Sequence, residues 1–178
     1  MEKNRQGLLH IYCGDGKGKT SAAVGMAVRA AGCGMKVLVI RFLKTENSGE
    51  VEVLRSIPGI TVPPCERTFG FVFRMTEEQK QEAALYYQSR FEDAAKEAVQ
   101  GQYDLLILDE ILASCNYGMV RETSVVEFLQ NRPEKLEVVL TGRNPSETFL
   151  ELADYVSEIC MRRHPYEKGI PARRGIEF

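Results

Sequence analysis

The chain has 178 residues, enough for one domain with a real core, and 44% hydrophobic and 27% charged residues are ordinary for a globular protein. Its formal net charge of -2 gives no basic excess to attract nucleic acid. No apolar run approaches the ~20 residues that span a bilayer, and the polar residues 1–7 lack the apolar stretch of a signal peptide, so a cytoplasmic protein without a membrane partner is expected.

Residues 8–12 are an apolar run that ends in a glycine cluster, the pattern of a buried strand entering a turn. From Lys19 to Ala31 the chain is alanine-rich, with Val24, Ala27, Val28 and Ala31 at helical spacing, and it stops at Gly32 and Gly34. Residues 36–42 form a second buried strand. Residues 44–75, interrupted by Pro58, Pro63 and Pro64, read as irregular, with a short strand near 60–62. Thr76, Glu77, Glu78 and Gln79 make a capping box that opens a helix to about Val99. A strand follows at 103–108 and ends at Asp109 and Glu110. Then come a short helix at 124–129, a strand at 136–140 and a helix capped by residues 144–147 with Pro145 at its first position. Residues 155–161 form a fifth strand, and 175–178 add an edge.

Strands alternating with helices, with continuously apolar central strands, predict an α/β fold: one domain over 1–178, a mostly parallel sheet with helices on both faces. Ligands in such sheets bind at the carboxyl ends of the strands. The five cysteines are an odd number without a CxxC pair. Reduced, semi-buried thiols are expected, with neither a disulfide framework nor a zinc site.

Between the first strand and the alanine-rich helix lie Cys13, Gly14, Asp15, Gly16, Lys17, Gly18, Lys19 and Thr20. Glycines let backbone N–H groups converge on phosphate oxygens, and the helix turns its positive end to the same anion. Lys19 supplies a cation and Thr20 a hydroxyl for Mg²⁺, so the loop predicts a nucleoside triphosphate, ATP with Mg²⁺. The general pattern has glycine six residues before the lysine, where this chain has Cys13. Asp109, at the end of an apolar strand, is the second candidate metal ligand. Glu110 would orient a water or contact substrate, and Arg143 would reach phosphate oxygens from a neighbouring strand tip. The basic residues Arg162, Arg163, His164, Lys168, Arg173 and Arg174 are either a solvated face or the neighbours of an anionic ligand.

Gly14 to Ala23 resembles the phosphate loop of the ATP:corrinoid adenosyltransferases, a family built on a P-loop NTPase (RecA-like) fold. The resemblance continues through residues 29–34, 41–44, 103–110, 141–143, 151–154 and the tail 164–178, which covers nearly the whole chain. It implies transfer of the 5′-deoxyadenosyl group of ATP to cobalt(I) of a corrinoid, with release of triphosphate, in the making of an adenosylated corrinoid cofactor. Lys19, Arg143 and Glu110 would act in catalysis. Gly14, Asp15, Gly16, Lys17, Gly18, Lys19, Thr20 and Ser21 would grip the triphosphate, with Arg29 and Glu110 on the nucleoside and Thr20 and Asp109 on Mg²⁺ or Mn²⁺. Phe71 and Phe73 would press on the corrin where the family commonly has Phe and Trp; this chain has no Trp. A homodimer and an electron-donating reductase or flavin are implied as well. Longer members carry an N-terminal helix over the corrinoid, and with 13 residues before Gly14 this chain is expected to lack that lid or to build it otherwise. The alternatives are an ATPase or small-molecule kinase on the same fold, and a nucleotide-binding module without turnover.

Overall fold

Strands and helices alternate in the computed structural model, which describes residues 6–70 and 72–177. The strands are β1 (Leu9–Cys13), β2 (Val37–Arg41), β3 (Ile60–Thr61), β4 (Leu105–Asp109), β5 (Glu137–Thr141) and β6 (Tyr155–Glu158). The helices are α1 (Lys19–Gly32), α2 (Glu50–Ser56), α3 (Glu77–Gln100), α4 (Ile111–Asn116), α5 (Glu122–Asn131) and α6 (Glu147–Leu152). One sheet runs β3-β2-β4-β5-β1-β6, and every neighbouring pair is parallel.

Side chains alternate across a strand, so each apolar strand feeds two cores. Val37, Val39, Leu105, Ile107 and Val139 pack under α1 and α2, where Ala23, Ala27 and Ala30 let α1 lie close to the sheet. Leu38, Ile40, Leu106, Leu108, Val138 and Leu140 meet the other helices on the opposite face. There α3 turns one stripe inward, Ala83, Tyr87, Phe91, Ala94 and Ala98. Its start is the expected capping box: Gln79 N–H donates to the Thr76 hydroxyl and Thr76 N–H to the Gln79 side chain.

Several expectations change. The edge strand at 175–178 is a turn, in which Ile176 and Glu177 N–H donate to the Arg173 carbonyl; Phe178 lies outside the described residues. The fifth strand stops at Glu158, because Met161 N–H turns to the Asp15 carboxylate. Pro145 precedes the Ser146 cap of α6, so it stands outside the helix rather than at its first position. Two short helices, α2 and α4, occupy stretches read as irregular or unassigned. Both lack a side-chain cap, and α2 is seven residues long. The cysteines are all free thiols but not alike: Cys13 and Cys65 are buried, Cys115 is intermediate, and Cys33 and Cys160 are exposed.

The order of strands positions the site. The carboxyl ends of β1, β5 and β4 stand side by side, so Cys13, Thr141 and Asp109 line one edge of the sheet. Strand β5 separates the loop strand from the carboxylate strand, the RecA-like arrangement.

Candidate functional site at the carboxyl edge

The phosphate loop is seated on the segment that follows β6. Gly16 N–H donates to the Ile159 carbonyl at 2.7 Å. A Cβ on Gly14 would lie 2.4 Å from that same oxygen, and one on Gly16 2.6 Å from it. Gly14 also has φ 100, so glycine is demanded there twice, by the close approach and by the conformation. Cys13 is the last residue of β1 with its side chain in the core, and burial pushes its thiol pKa up. The position where the general pattern has glycine is here a strand end, where a side chain is wanted.

Lys19 is 8% exposed and donates from Nζ to the carbonyls of Gly14 and Gly16, at 2.8 Å each. Burial lowers its pKa, opposed first by the Glu110 charge. Its ammonium therefore sits inside the curve of the loop. Helix α1 begins there with no acidic residue in its first turn, which leaves its positive end free for an anion.

Asp109 is 2% exposed and fully committed. Oδ1 accepts from the hydroxyls of Thr141 (2.6 Å) and Thr20 (3.0 Å), and Oδ2 pairs with Lys44. Lys44 also donates to Thr20 Oγ1 at 2.8 Å. Thr141 Oγ1 in turn accepts Glu110 N–H at 2.9 Å, so β5 braces the turn that presents Glu110. Burial, then the Asp109 charge, raises the Glu110 pKa; Lys44, Lys19 and Arg143 pull it down. Three cations of the loop and strand tips thus surround one reluctant carboxylate.

Backbone strain is concentrated at this edge. Leu43 (φ 53), Glu110 (φ 62) and Asn144 (φ 49) are left-handed non-glycine residues just past β2, β4 and β5. Each such residue costs on the order of 1–3 kcal/mol and persists only where surroundings enforce it. One of the enforcers is α4: Asn116 Nδ2 donates to the carbonyls of Arg143 (2.9 Å) and Asn144 (3.0 Å).

Residues 5–178 match the sequence pattern of the family described as ATP:corrinoid adenosyltransferase BtuR/CobO/CobP. The chain belongs to this family. It is 32% identical over 177 residues to the corrinoid adenosyltransferase of Pseudomonas aeruginosa, covering 99% of this chain and 86% of that one. The corrinoid adenosyltransferase of Escherichia coli K12 is also 32% identical over 177 residues, covering 99% and 88%. Among solved structures, the cytoplasmic domain of EssC superposes with a TM-score of 0.51 at 15% identity, over 97% of this chain and 37% of that one, a likeness of fold alone.

Of the residues nominated for an adenosyltransferase site, the fold brings Lys19, Thr20, Asp109, Glu110 and Arg143 to one place; Arg143 is exposed at the β5 tip. Gly18 is the N-cap of α1. Ser21 is exposed and lines a cavity of about 590 Å³ with Thr20, Lys44, Thr45 and Glu177. Two loop side chains face elsewhere: Asp15 accepts Met161 N–H, which lowers its pKa, and Lys17 pairs with Glu177 at 3.0 Å. Arg29 stands ten residues beyond Lys19, about 15 Å along α1, and lines a separate cavity of about 680 Å³ with Tyr12 and Met26. Phe73 is 78% exposed beneath the Arg74 guanidinium. Phe71 lies outside the described residues. Phe69, half-buried against Tyr86 and Tyr87, is the aromatic that anchors this segment. The residues missed from the sequence reading are Lys44 and Thr141. Each ends or follows an apolar strand beside the loop strand or the carboxylate strand, a position that marks it once the strand order is known.

Proposed function

We propose that the protein transfers the 5′-deoxyadenosyl group of ATP to cobalt(I) of a corrinoid. The observation that carries this reading is the meeting of Lys19, Arg143, Glu110 and the Thr20–Asp109 pair at one strand edge in a chain of this family. The cobalt electron pair attacks C5′, a cobalt–carbon bond forms, the C5′–oxygen bond breaks, and its electron pair leaves on triphosphate. The metal of the corrinoid is the nucleophile, so no Ser, Cys or His nucleophile is required of the protein. The protein's work is to hold the leaving group and neutralise its growing charge with Lys19, Arg143 and the amides of the loop.

A divalent cation fits the donor set. Thr20 Oγ1 and the Asp109 carboxylate are hard oxygen donors already joined at 3.0 Å, and they would hold Mg²⁺ or Mn²⁺ beside the phosphates. Bound there, the ion supplies Lewis-acid stabilisation of the leaving triphosphate. Glu110 and Arg29 would hold the nucleoside; for Arg29 this requires the adenosine to run along the flank of α1. The exposed ring of Phe73 offers a flat apolar contact for a corrin, and Phe71, two residues before it in the sequence, is assigned the same role by the family resemblance.

The reading extends to a single domain acting as a cytoplasmic homodimer, supplied with cobalt(I) by a reductase or a reduced flavin. No helix among the described residues is long and apolar enough to cross a membrane. The deciding experiment is anaerobic incubation with ATP, Mg²⁺ and chemically reduced cobalamin, followed by the visible spectrum and product analysis. A cobalt–carbon spectrum with one triphosphate per turnover is expected. An unchanged spectrum, or ADP and phosphate as products, would sink the proposal.

A further inference from the structure

We propose that Lys44 is a resident counter-ion of the Thr20–Asp109 pair, which a divalent cation displaces and does so together with a triphosphate rather than alone. This rests on the reading of the edge as a metal–triphosphate site. The Lys44 ammonium contacts the same two groups nominated as metal ligands: it lies 2.8 Å from Thr20 Oγ1 and is paired with Asp109 Oδ2. The other carboxylate oxygen is taken by the hydroxyls of Thr20 and Thr141. A metal ion and an ammonium cannot both lie against Oδ2, since two cations would then share one desolvated oxygen.

The exchange is unfavourable for a bare ion. Among the described residues no group of three or more His, Cys, Asp or Glu could hold a metal. The protein offers one carboxylate and one hydroxyl, and the remaining ligands must be water or phosphate oxygens. A bare ion would break an ion pair on a carboxylate 2% exposed and strand the lysine. A triphosphate changes both sides of this balance, because it supplies oxygens to the metal and a new anionic partner to the ammonium. Lys44 has room to make the change. Its side chain is 21% exposed, it follows the left-handed Leu43 in the turn after β2, and it lines the cavity of about 590 Å³ together with Ser21.

The test is Mn²⁺ binding read by electron paramagnetic resonance, with and without inorganic triphosphate, in the native protein and in Lys44→Gln. The native protein should bind Mn²⁺ weakly alone and more tightly with triphosphate. Lys44→Gln should bind Mn²⁺ alone roughly tenfold or more tightly than the native protein, and the enhancement by triphosphate should shrink by a similar factor, because no ammonium is left for the triphosphate to take from the metal site. Lys44→Arg, which keeps the charge, should stay weak without triphosphate. Equal or weaker Mn²⁺ binding by a folded Lys44→Gln protein overturns the proposal, and so does tight binding by Lys44→Arg. Without any variant, the Lys44 side-chain ¹⁵N signal should shift when Mg²⁺ and triphosphate are added to the native protein; an unmoved signal also overturns it. No corrinoid enters these measurements, so their failure and a failure to form the cobalt–carbon bond are separate results.

Discussion

The phosphate loop and the C-terminal tail touch each other, yet they are held by opposite means. The loop is fixed by backbone contacts and buried polar groups: glycines packed on the Ile159 carbonyl, Lys19 on two loop carbonyls, and a carboxylate with hydroxyls on one side and an ammonium on the other. The tail from Arg162 to Ile176 is exposed except at His164. A cavity of about 620 Å³ separates it from Gly16 and Lys17. Its end is tied back by one side chain: Glu177 accepts from Arg173, both backbone and guanidinium, and from Lys17. A buried network resists change as a unit, whereas a single hub in an otherwise exposed tail can be undone at one residue. The difference teaches where chemistry and where adjustability are to be sought in this fold.

The largest break should come at the loop. Lys19→Ala is expected to lower adenosyl transfer by roughly 10²–10³-fold, the scale of removing one preorganised charge from a leaving group. Activity within a fewfold of native, in a protein that melts normally, would refute the loop's assignment. Next, Gly14→Ala should destabilise the fold by about 1–3 kcal/mol, since both its φ and the Ile159 oxygen oppose a Cβ. Thermal unfolding within a degree of native would show that the seat on Ile159 is not tight.

Glu177→Gln should leave unfolding nearly unchanged while tail cleavage by a protease rises severalfold. Its hydrogen bonds, from Arg173 first and Lys17 after, hold the carboxyl at about 2. A depressed carboxyl contributes while it is ionised, so tail docking should persist from neutral pH down past the ordinary carboxylate range and be lost only as pH falls toward about 2. Cleavage that already rises between pH 6 and 5 would contradict the hub. The smallest effect is expected at the aromatic segment: Phe73→Ala and Phe71→Ala should each slow corrinoid adenosylation a fewfold with ATP binding unchanged, and native rates in both would remove that segment from the mechanism.

Much of this was legible in the residues. The strand-loop-helix of 9–32, the Thr76 capping box and the strand ending in Asp109 announce themselves by local pattern, because period, caps and glycines act within a few residues. Helix α2 was not legible, since its burial rests on Val51 and Leu54 meeting the α1-side core, and seven residues carry too little period of their own. Asp15 and Lys17 looked like phosphate ligands because the loop pattern treats its residues alike. Only the fold could turn one to Met161 and the other to Glu177, partners more than 140 residues away.

By itself, then, the sequence determined the fold class, the phosphate loop and the two acidic residues that face it, since each is written in contiguous residues. Tertiary structure alone decided which side chains share the carboxyl edge. The order β4-β5-β1 inserts Thr141 between the loop and Asp109, and the turn after β2 carries Lys44 across to the same carboxylate. That is a matter of strand order, and strand order depends on contacts between segments that no local pattern encodes.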